Sequence, residues 1–156
     1  MKSRTYVKCK IGYWELVEEN GKITALDFIG ELAEDEKEMT TNTNPILDKG
    51  KKQLEEYFNG RRQEFSLPIH LEGTAFQKRV WQALQEIPYG TTKSYQEVAE
   101  NVGNKNSVRA VGGANNRNPI SIIVPCHRVI GKDGTLVGYG GGLDVKAFLL
   151  KLEATR

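Results

Sequence analysis

The sequence predicts an α+β fold: a small N-terminal antiparallel sheet with a helix, followed by a mostly helical C-terminal domain containing a helix-turn-helix. Three observations predict it. The first 30 residues alternate short β-branched or aromatic runs with turn signals. From Thr74 onward, cap residues open a succession of helical stretches separated by glycine-containing breaks. The charge balance also changes between the halves, residues 1–71 holding 11 Lys and Arg against 13 Asp and Glu, residues 72–156 holding 11 against 7. The division therefore falls into an N-terminal α/β domain, 1–71, and a C-terminal domain, 72–156.

The strands are 5–9, 13–17 and 23–28, and Asn20-Gly21 is a hairpin turn, the dipeptide that tolerates the backbone such turns need. Residues 31–44, acidic and then Thr/Asn-rich, form an exposed loop. Pro45 opens a helix whose apolar residues Ile46, Leu47, Leu54, Tyr57 and Phe58 recur at helical spacing until Asn59-Gly60 stops it. In the second half Thr74 caps a helix with Phe76, Val80, Trp81, Leu84 and Ile87 on one face, ended by Pro88-Tyr89-Gly90. Ser94 caps a short helix through Glu97, Val98 and Ala99, and Gly103-Asn104 separates it from a third over 107–115, the layout of a helix-turn-helix. Ile122-Ile123-Val124 before Pro125 reads as a buried strand that ends abruptly. The run from Val129 to Gly134, with Leu136-Val137, suggests a hairpin or tight loop. Gly140-Gly141-Gly142 is a flexible link, and Asp144 caps a final helix bearing Val145, Phe148, Leu149 and Leu152.

The 156 residues are 38% hydrophobic and 27% charged, which fits a soluble globular chain with its own core. No stretch approaches the roughly 18 apolar residues of a membrane span, and no basic-then-apolar leader opens the chain, so a cytoplasmic protein without a membrane partner is expected. Cys9 and Cys126 are far apart in sequence, and nothing calls for a disulfide between them. The overall +2 conceals a net +4 in the second half, which suits an anionic partner.

The chemistry centres on Cys126, which the Pro125 stop presents in a fixed geometry, with His127 beside it. A thiolate is the soft nucleophile proteins build most readily, although a free cysteine ionises only near a pKa of about 8.5. By residue type alone Cys126 is either such a nucleophile or a buried structural cysteine, and neighbours on a strand point to opposite faces.

The segment Asn118-Pro119-Ile120-Ser121-Ile122-Ile123-Val124-Pro125-Cys126-His127-Arg128-Val129 closely resembles the active-site signature of the O6-alkylguanine-DNA alkyltransferases, the methylated-DNA–protein-cysteine methyltransferases. Phe76-Gln77-Lys78-Arg79-Val80-Trp81, Pro88-Tyr89-Gly90, Ser94-Tyr95, Ala110-Val111-Gly112-Gly113-Ala114 and Tyr139-Gly140-Gly141-Gly142-Leu143 look like family blocks in family order, over about residues 73–153. Residues 1–71 resemble the family only in size and strand-then-helix character, where the resemblance implies a ribonuclease H-like domain.

The resemblance implies DNA repair by direct reversal: irreversible transfer of the alkyl group from O6-alkylguanine, and from O4-alkylthymine, in double-stranded DNA onto Cys126, by a monomer without a cofactor. His127 would take the thiol proton through a water, giving a thiolate at neutral pH, and Glu153 would orient His127. Asn118 would tie the helix-turn-helix to the active-site segment, and Tyr95 would pass a proton to guanine N3. Backbone carbonyls of Cys126 and Val129 would read the exocyclic amine, with Tyr139 and Gly140 bounding the base pocket. Arg109 would fill the gap left by a base flipped from the minor groove, with Ser107, Ala110, Gly112, Gly113, Thr92 and Ser94 against the DNA. Without the resemblance, Glu153 reads as a solvated helix residue, Tyr95 as core, and Arg109 as a solvated or phosphate-contacting side chain. The glycines of 107–115 cost a helix about 1 kcal/mol each relative to alanine, so close approach to a DNA backbone accounts for them better than propensity. Gly140 and Ser121 stand where some relatives have serine and a second proline, which points to a roomier or more flexible pocket. Some relatives hold zinc in the first domain, but here only Cys9 and His70 are available, short of a four-coordinate site, so no metal is expected. Two rival functions are a Cys-His thiol hydrolase, which would turn over, and a non-catalytic helix-turn-helix binder of alkylated DNA, which would have no use for the thiol.

Overall fold

The computed structural model describes residues 2–32 and 44–154, so most of the loop expected over 31–44 lies outside the described residues. The chain forms two compact units, Met1–Leu71 and Glu72–Arg156.

In the first unit β1 (Lys2–Cys9), β2 (Gly12–Glu19) and β3 (Lys22–Gly30) form an antiparallel sheet in the order β1-β2-β3. Alternation in β1 sends Ser3, Thr5, Val7 and Cys9 to the buried face and Lys2, Arg4, Tyr6 and Lys8 outward. Asn20 and Gly21 both have positive φ, 54° and 82°, which makes the two-residue connection whose twist matches the strands it joins. The free edge of β3 is covered: Ile23 donates to the Pro68 carbonyl at 2.8 Å and accepts from the His70 amide at 2.9 Å. Helix α1 (Pro45–Phe58) starts at Asn44, whose side chain accepts from the Leu47 amide, and its buried Leu47, Leu54 and Tyr57 close over Val7, Trp14, Leu16, Ile23 and Leu26. At Gly50 the helix comes so near the sheet that a Cβ would lie 2.7 Å from Leu16 Cδ2.

The second unit is mainly helical. Helices α2 (Ala75–Gln85) and α3 (Tyr95–Asn101) each begin with a capping box, Thr74 with Gln77 and Ser94 with Glu97. Gly103, at φ 91°, turns the chain from α3 into α4 (Val108–Asn116). Val80, Trp81 and Leu84 of α2, Val98 and Ala99 of α3, and Val111 and Ala114 of α4 form the core of this helix-turn-helix, and the Trp81 indole donates to the Ala114 carbonyl at 2.8 Å. Ser107 does not cap α4 with its side chain; its hydroxyl donates to the Asn104 carbonyl at 2.6 Å.

Two expectations for this half are corrected, the strand before Pro125 and the Asp144 cap. Residues 120–124 are not a strand but a tight turn: Val124 donates to the Ile120 carbonyl at 3.0 Å, and Ile122 has φ 71°, an uncommon backbone for a β-branched residue. The cause is Asn118, whose side chain accepts from the Ile120 amide and donates to the Val124 carbonyl at 2.7 Å, curling the segment around itself. The chain then passes through a 3₁₀ turn (Cys126–Arg128) into β5 (Val129–Ile130), which pairs in parallel with β4 (Lys93–Ser94); of the hairpin or tight loop expected after Val129 the structure has the tight loop, Gly131 donating to the Thr135 carbonyl at 2.8 Å and Gly134 to the Gly131 carbonyl at 2.9 Å. Helix α5 (Leu143–Ala154) starts at Leu143, so Asp144 lies in its first turn, where a carboxylate meets the positive end of the helix.

Candidate active site

Cys126 and His127 are adjacent in a 3₁₀ turn, not an extended strand, so successive side chains do not point to opposite faces. His127 is fully buried, and its Nε2 lies 2.7 Å from Glu153 Oε2 on α5. Arg128, also buried, grips the same carboxylate with two nitrogens: Nε donates to Oε1 at 2.8 Å and a terminal nitrogen to Oε2 at 3.0 Å. Its other terminal nitrogen donates to the Ile87 carbonyl at 2.7 Å, and its guanidinium lies 5.7 Å from the Tyr89 ring centroid. This paired fork fixes the plane of the carboxylate.

The electrostatics follow from burial and these partners. Burial opposes ionisation of Glu153, but hydrogen bonds from His127 and Arg128 outweigh it and hold the carboxyl down at about 2. An ionised carboxylate only accepts, so His127 Nε2 carries the proton and Nδ1 keeps its lone pair. Nδ1 is buried and makes no hydrogen bond to a described residue. Burial also keeps the imidazole neutral, below its usual range, although Glu153 pulls the other way. The site therefore holds an unprotonated ring nitrogen on the residue that follows Cys126 in the chain, and such a nitrogen is what a general base needs.

The thiol itself departs from expectation. Burial pushes Cys126 up rather than down, and Asn118, the Lys146 charge, the Cys126 amide and Ser121 recover only part of that. At neutral pH the resting group is a thiol, not the thiolate expected from the sequence. Low polarity around the sulfur is the reason: Cys126 is 4% exposed and follows the buried Val124 and Pro125.

Tyr95 opens α3 and donates its hydroxyl to the Val137 carbonyl at 2.8 Å. Burial and the neighbouring Cys126 raise its pKa, so the phenol keeps its proton. Lys146 of α5, which sequence reasoning missed, is fully buried. Its ammonium donates to the carbonyls of Val129 (2.5 Å), Val137 (2.8 Å) and Gly138 (3.3 Å) and sits 5.7 Å from the Tyr95 ring centroid. Burial draws its pKa down to about 8, so it is still mostly a cation at neutral pH. The signal for it was present: Lys146, Leu149 and Glu153 lie at i, i+3 and i+7, one face of α5. Arg128 could have been found only from the turn geometry that brings it and His127 to one carboxylate.

The remaining residues fall into two groups. Tyr139 is half-buried, and Gly140 is exposed, its Cβ position 3.3 Å from the Asn116 carbonyl. Arg109, Ala110 and Gly113 are exposed along α4, Gly112 and Ser107 are partly so, and Thr92 and Ser94 lie beside the start of α3. A Cβ at Gly112 or Gly113 would meet nothing within 4 Å, so no contact within the protein demands these glycines. Both cysteines are free thiols, Cys9 accepting from the Trp14 indole at 3.3 Å. Among the described residues no three His, Cys, Asp or Glu side chains form a metal-binding group, and no helix is long and apolar enough to cross a membrane.

Comparison with known proteins gives this geometry its context. Residues 75–155 match the family model of the 6-O-methylguanine DNA methyltransferase DNA-binding domain, and residues 2–71 that of the same proteins' ribonuclease-like domain. The constitutive methylated-DNA–protein-cysteine methyltransferase of Bacillus subtilis is 48% identical over 154 residues, covering 96% of this chain and 93% of that one. The crystal structure of the Mycobacterium tuberculosis O6-methylguanine methyltransferase superposes with a TM-score of 0.87 at 43% identity, over 100% of this chain and 94% of that one. A structure of the M. tuberculosis protein in complex with DNA matches with a TM-score of 0.85 at 43% identity, over 96% and 91% of the two chains. The chain belongs to the methylated-DNA–protein-cysteine methyltransferases, the O6-methylguanine DNA methyltransferases that repair alkylated DNA.

Proposed function

We propose that Cys126 is the acceptor in this repair and is consumed by it. The observation that carries the reading is His127: neutral, with its Nε2 proton held by Glu153 and its Nδ1 lone pair free, next in the chain to a buried thiol. His127 takes the Sγ proton through a bridging water as sulfur attacks the alkyl carbon. The S–C bond forms as the C–O6 bond breaks, and that electron pair passes into the base. Tyr95 gives its phenolic proton to N3 of the departing guanine, and the proton held by His127 later restores it, so none is gained or lost. Glu153 and Arg128 are positioning residues, as is Asn118, which shapes the turn before Cys126. The product is a thioether with no leaving group, so each molecule acts once.

The substrate is double-stranded DNA carrying O6-alkylguanine or O4-alkylthymine. The carbonyls of Cys126 and Val129 read the guanine exocyclic amine; that of Val129 accepts from Lys146, and that of Cys126 from the Asn115 amide and the Val129 N–H. Tyr139 and Gly140 wall the base. Reaching a buried thiol requires flipping the base, at a cost of a few kcal/mol. Arg109 fills the space from the minor groove while Ser107, Ala110, Gly112, Gly113, Thr92 and Ser94 lie along the backbone. Exposed glycines that no internal contact requires support this placement. The protein acts as a monomer, and two free thiols fit a reducing compartment, the cytoplasm.

Incubation with a duplex containing one O6-methylguanine should add one methyl group, in place of a hydrogen, to the peptide containing Cys126, stoichiometrically and not in Cys126→Ser. Multiple turnovers, or an adduct that survives in Cys126→Ser, would overturn the assignment. Arg109→Ala should slow repair of duplex far more than reaction with free O6-benzylguanine; equal losses would remove Arg109 from base flipping.

A further inference from the structure

The Cys126 carbonyl, the proposed acceptor for the guanine exocyclic amine, has both lone pairs in use before any base arrives. Its oxygen accepts from the Val129 N–H, the bond that closes the 3₁₀ turn, and from the side-chain NH2 of Asn115 at 3.3 Å. A carbonyl oxygen has two lone pairs, so a third donor must displace one of these two. The Val129 N–H belongs to the backbone of the turn that presents Cys126 and cannot leave without unwinding it. Asn115 reaches the carbonyl through side-chain torsions alone, and its bond is long for its kind. Asn115 is therefore the donor that gives way.

Its surroundings fit that role. Asn115 lies in the last turn of α4, is 2% exposed, and takes no part in the transfer steps from Cys126, His127 and Tyr95. Oδ1 is buried and makes no hydrogen bond to a described residue, so the acceptor half of the amide does not hold the side chain where it is. The same end of α4 borders the loop that leads into the proposed base wall: a Cβ at Gly138 would lie 3.2 Å from the Tyr95 hydroxyl and 3.4 Å from Asn116 Oδ1. Asn115 thus covers the carbonyl with a planar NH2, the group that guanine itself carries at C2.

We propose that Asn115 is a specificity-determining residue: its amide stands in for the guanine amine on the Cys126 carbonyl, and a base that carries the amine must evict it to be read. The inference rests on the reading of that carbonyl as the amine's acceptor. With O6-alkylguanine one donor replaces another, so the number of hydrogen bonds at the carbonyl does not rise and the Asn115 NH2 loses its place. O4-alkylthymine carries an oxygen where guanine has the amine, so nothing evicts Asn115 and the resting bond survives. The residue therefore narrows the advantage that the amine gives to guanine. It also keeps a buried carbonyl satisfied whichever base, or none, is in the pocket.

The test compares duplexes containing O6-methylguanine with duplexes containing O6-methylhypoxanthine, the same purine without the amine. Second-order rate constants for methyl transfer are measured for the wild type, Asn115→Leu and Asn115→Ala, with near-UV circular dichroism as the check on folding. Once the side chain is truncated, the amine meets an open lone pair. The ratio of the guanine rate to the hypoxanthine rate should then rise about tenfold above the wild-type ratio, the worth of one hydrogen bond. Dividing one ratio by the other removes what truncation does to both bases alike and what differs between the duplexes themselves. A wild-type preference for guanine that neither truncation raises by more than about twofold would overturn the role of Asn115 and leave the carbonyl as the amine's acceptor. Equal rates on the two bases in all three proteins would overturn the reading of the carbonyl and this inference with it.

Discussion

Arg128→Met removes the guanidinium that grips Glu153 and leaves a carboxylate buried with His127 alone. The magnitude follows from the carboxyl's own ionisation. Glu153 ionises at about 2 in the folded chain against an ordinary 4.5, and a shift of that size represents about 3 kcal/mol of stability at neutral pH. The folded value is the lower one, so the contribution is complete above pH 4.5 and is lost as pH falls toward 2. Arg128 supplies two of the three hydrogen bonds responsible, and removing one partner of a buried pair costs about 3–5 kcal/mol because the other is left uncompensated. Both routes put the loss for Arg128→Met near 3 kcal/mol. With a urea slope of about 1.5 kcal/mol/M, the C-terminal unfolding midpoint should fall by about 2 M at pH 7, followed by the fluorescence of the buried Trp81. Alkyl transfer should slow as well, since the carboxylate that sets the His127 tautomer has lost its clamp. Arg128→Lys should recover little of either, because an ammonium cannot reproduce the paired fork. A midpoint shift below about 0.5 M with an unchanged transfer rate would refute the reasoning.

Three further outcomes are expected. Gly113→Ala should raise helix stability by up to about 1 kcal/mol, since nothing obstructs the new methyl group, while weakening DNA binding in a titration; unchanged affinity would remove this helix face from the interface. Ser94→Ala breaks the capping box with Glu97 and should cost about 1 kcal/mol in thermal or urea unfolding; no measurable loss would mean the cap is redundant. The single-turnover rate on the free base should be level between about pH 7 and 8 and fall only below the ordinary histidine value of about 6.5, because burial lowers His127; a tenfold rise per pH unit through neutrality would show that a pre-ionised thiolate is the reactant.

Local chemistry made much of the fold legible. Asn20-Gly21, Pro45, Thr74 and Ser94 each act through their own backbone or a partner three residues away, and all lie where such chemistry puts them. The turn at 120–124 was illegible for the opposite reason. Three β-branched residues in a row favour extended backbone, and what curls them is the Asn118 side chain, which acts on both sides of Ile122 at once. The error carried into the site. An extended 126–128 would send His127 and Arg128 to opposite faces, hiding the fact that both reach Glu153, whereas the 3₁₀ turn brings both to it. Lys146 was hidden differently: a helix reading that assigns lysine to solvent discards it, and only the carbonyls of Val129, Val137 and Gly138 make its burial tolerable.

The raised Cys126 pKa and the lowered His127 pKa have one cause, burial, and both hold the shared proton on sulfur. Burial alone would leave the pair inert, since a thiol that resists ionisation faces a base made weaker than free imidazole. Glu153 restores the balance. In the proposed transfer, where His127 accepts the thiol proton, its new positive charge would face a carboxylate 2.7 Å away that is already ionised and already held in plane by Arg128. The cluster is therefore arranged for the charge distribution of the transfer rather than for that of the resting state. For a residue consumed by the proposed transfer this has a physical advantage. Oxidants and stray electrophiles react with thiolates, so a sulfur that stays protonated until an alkyl group is presented to it is preserved for its single reaction.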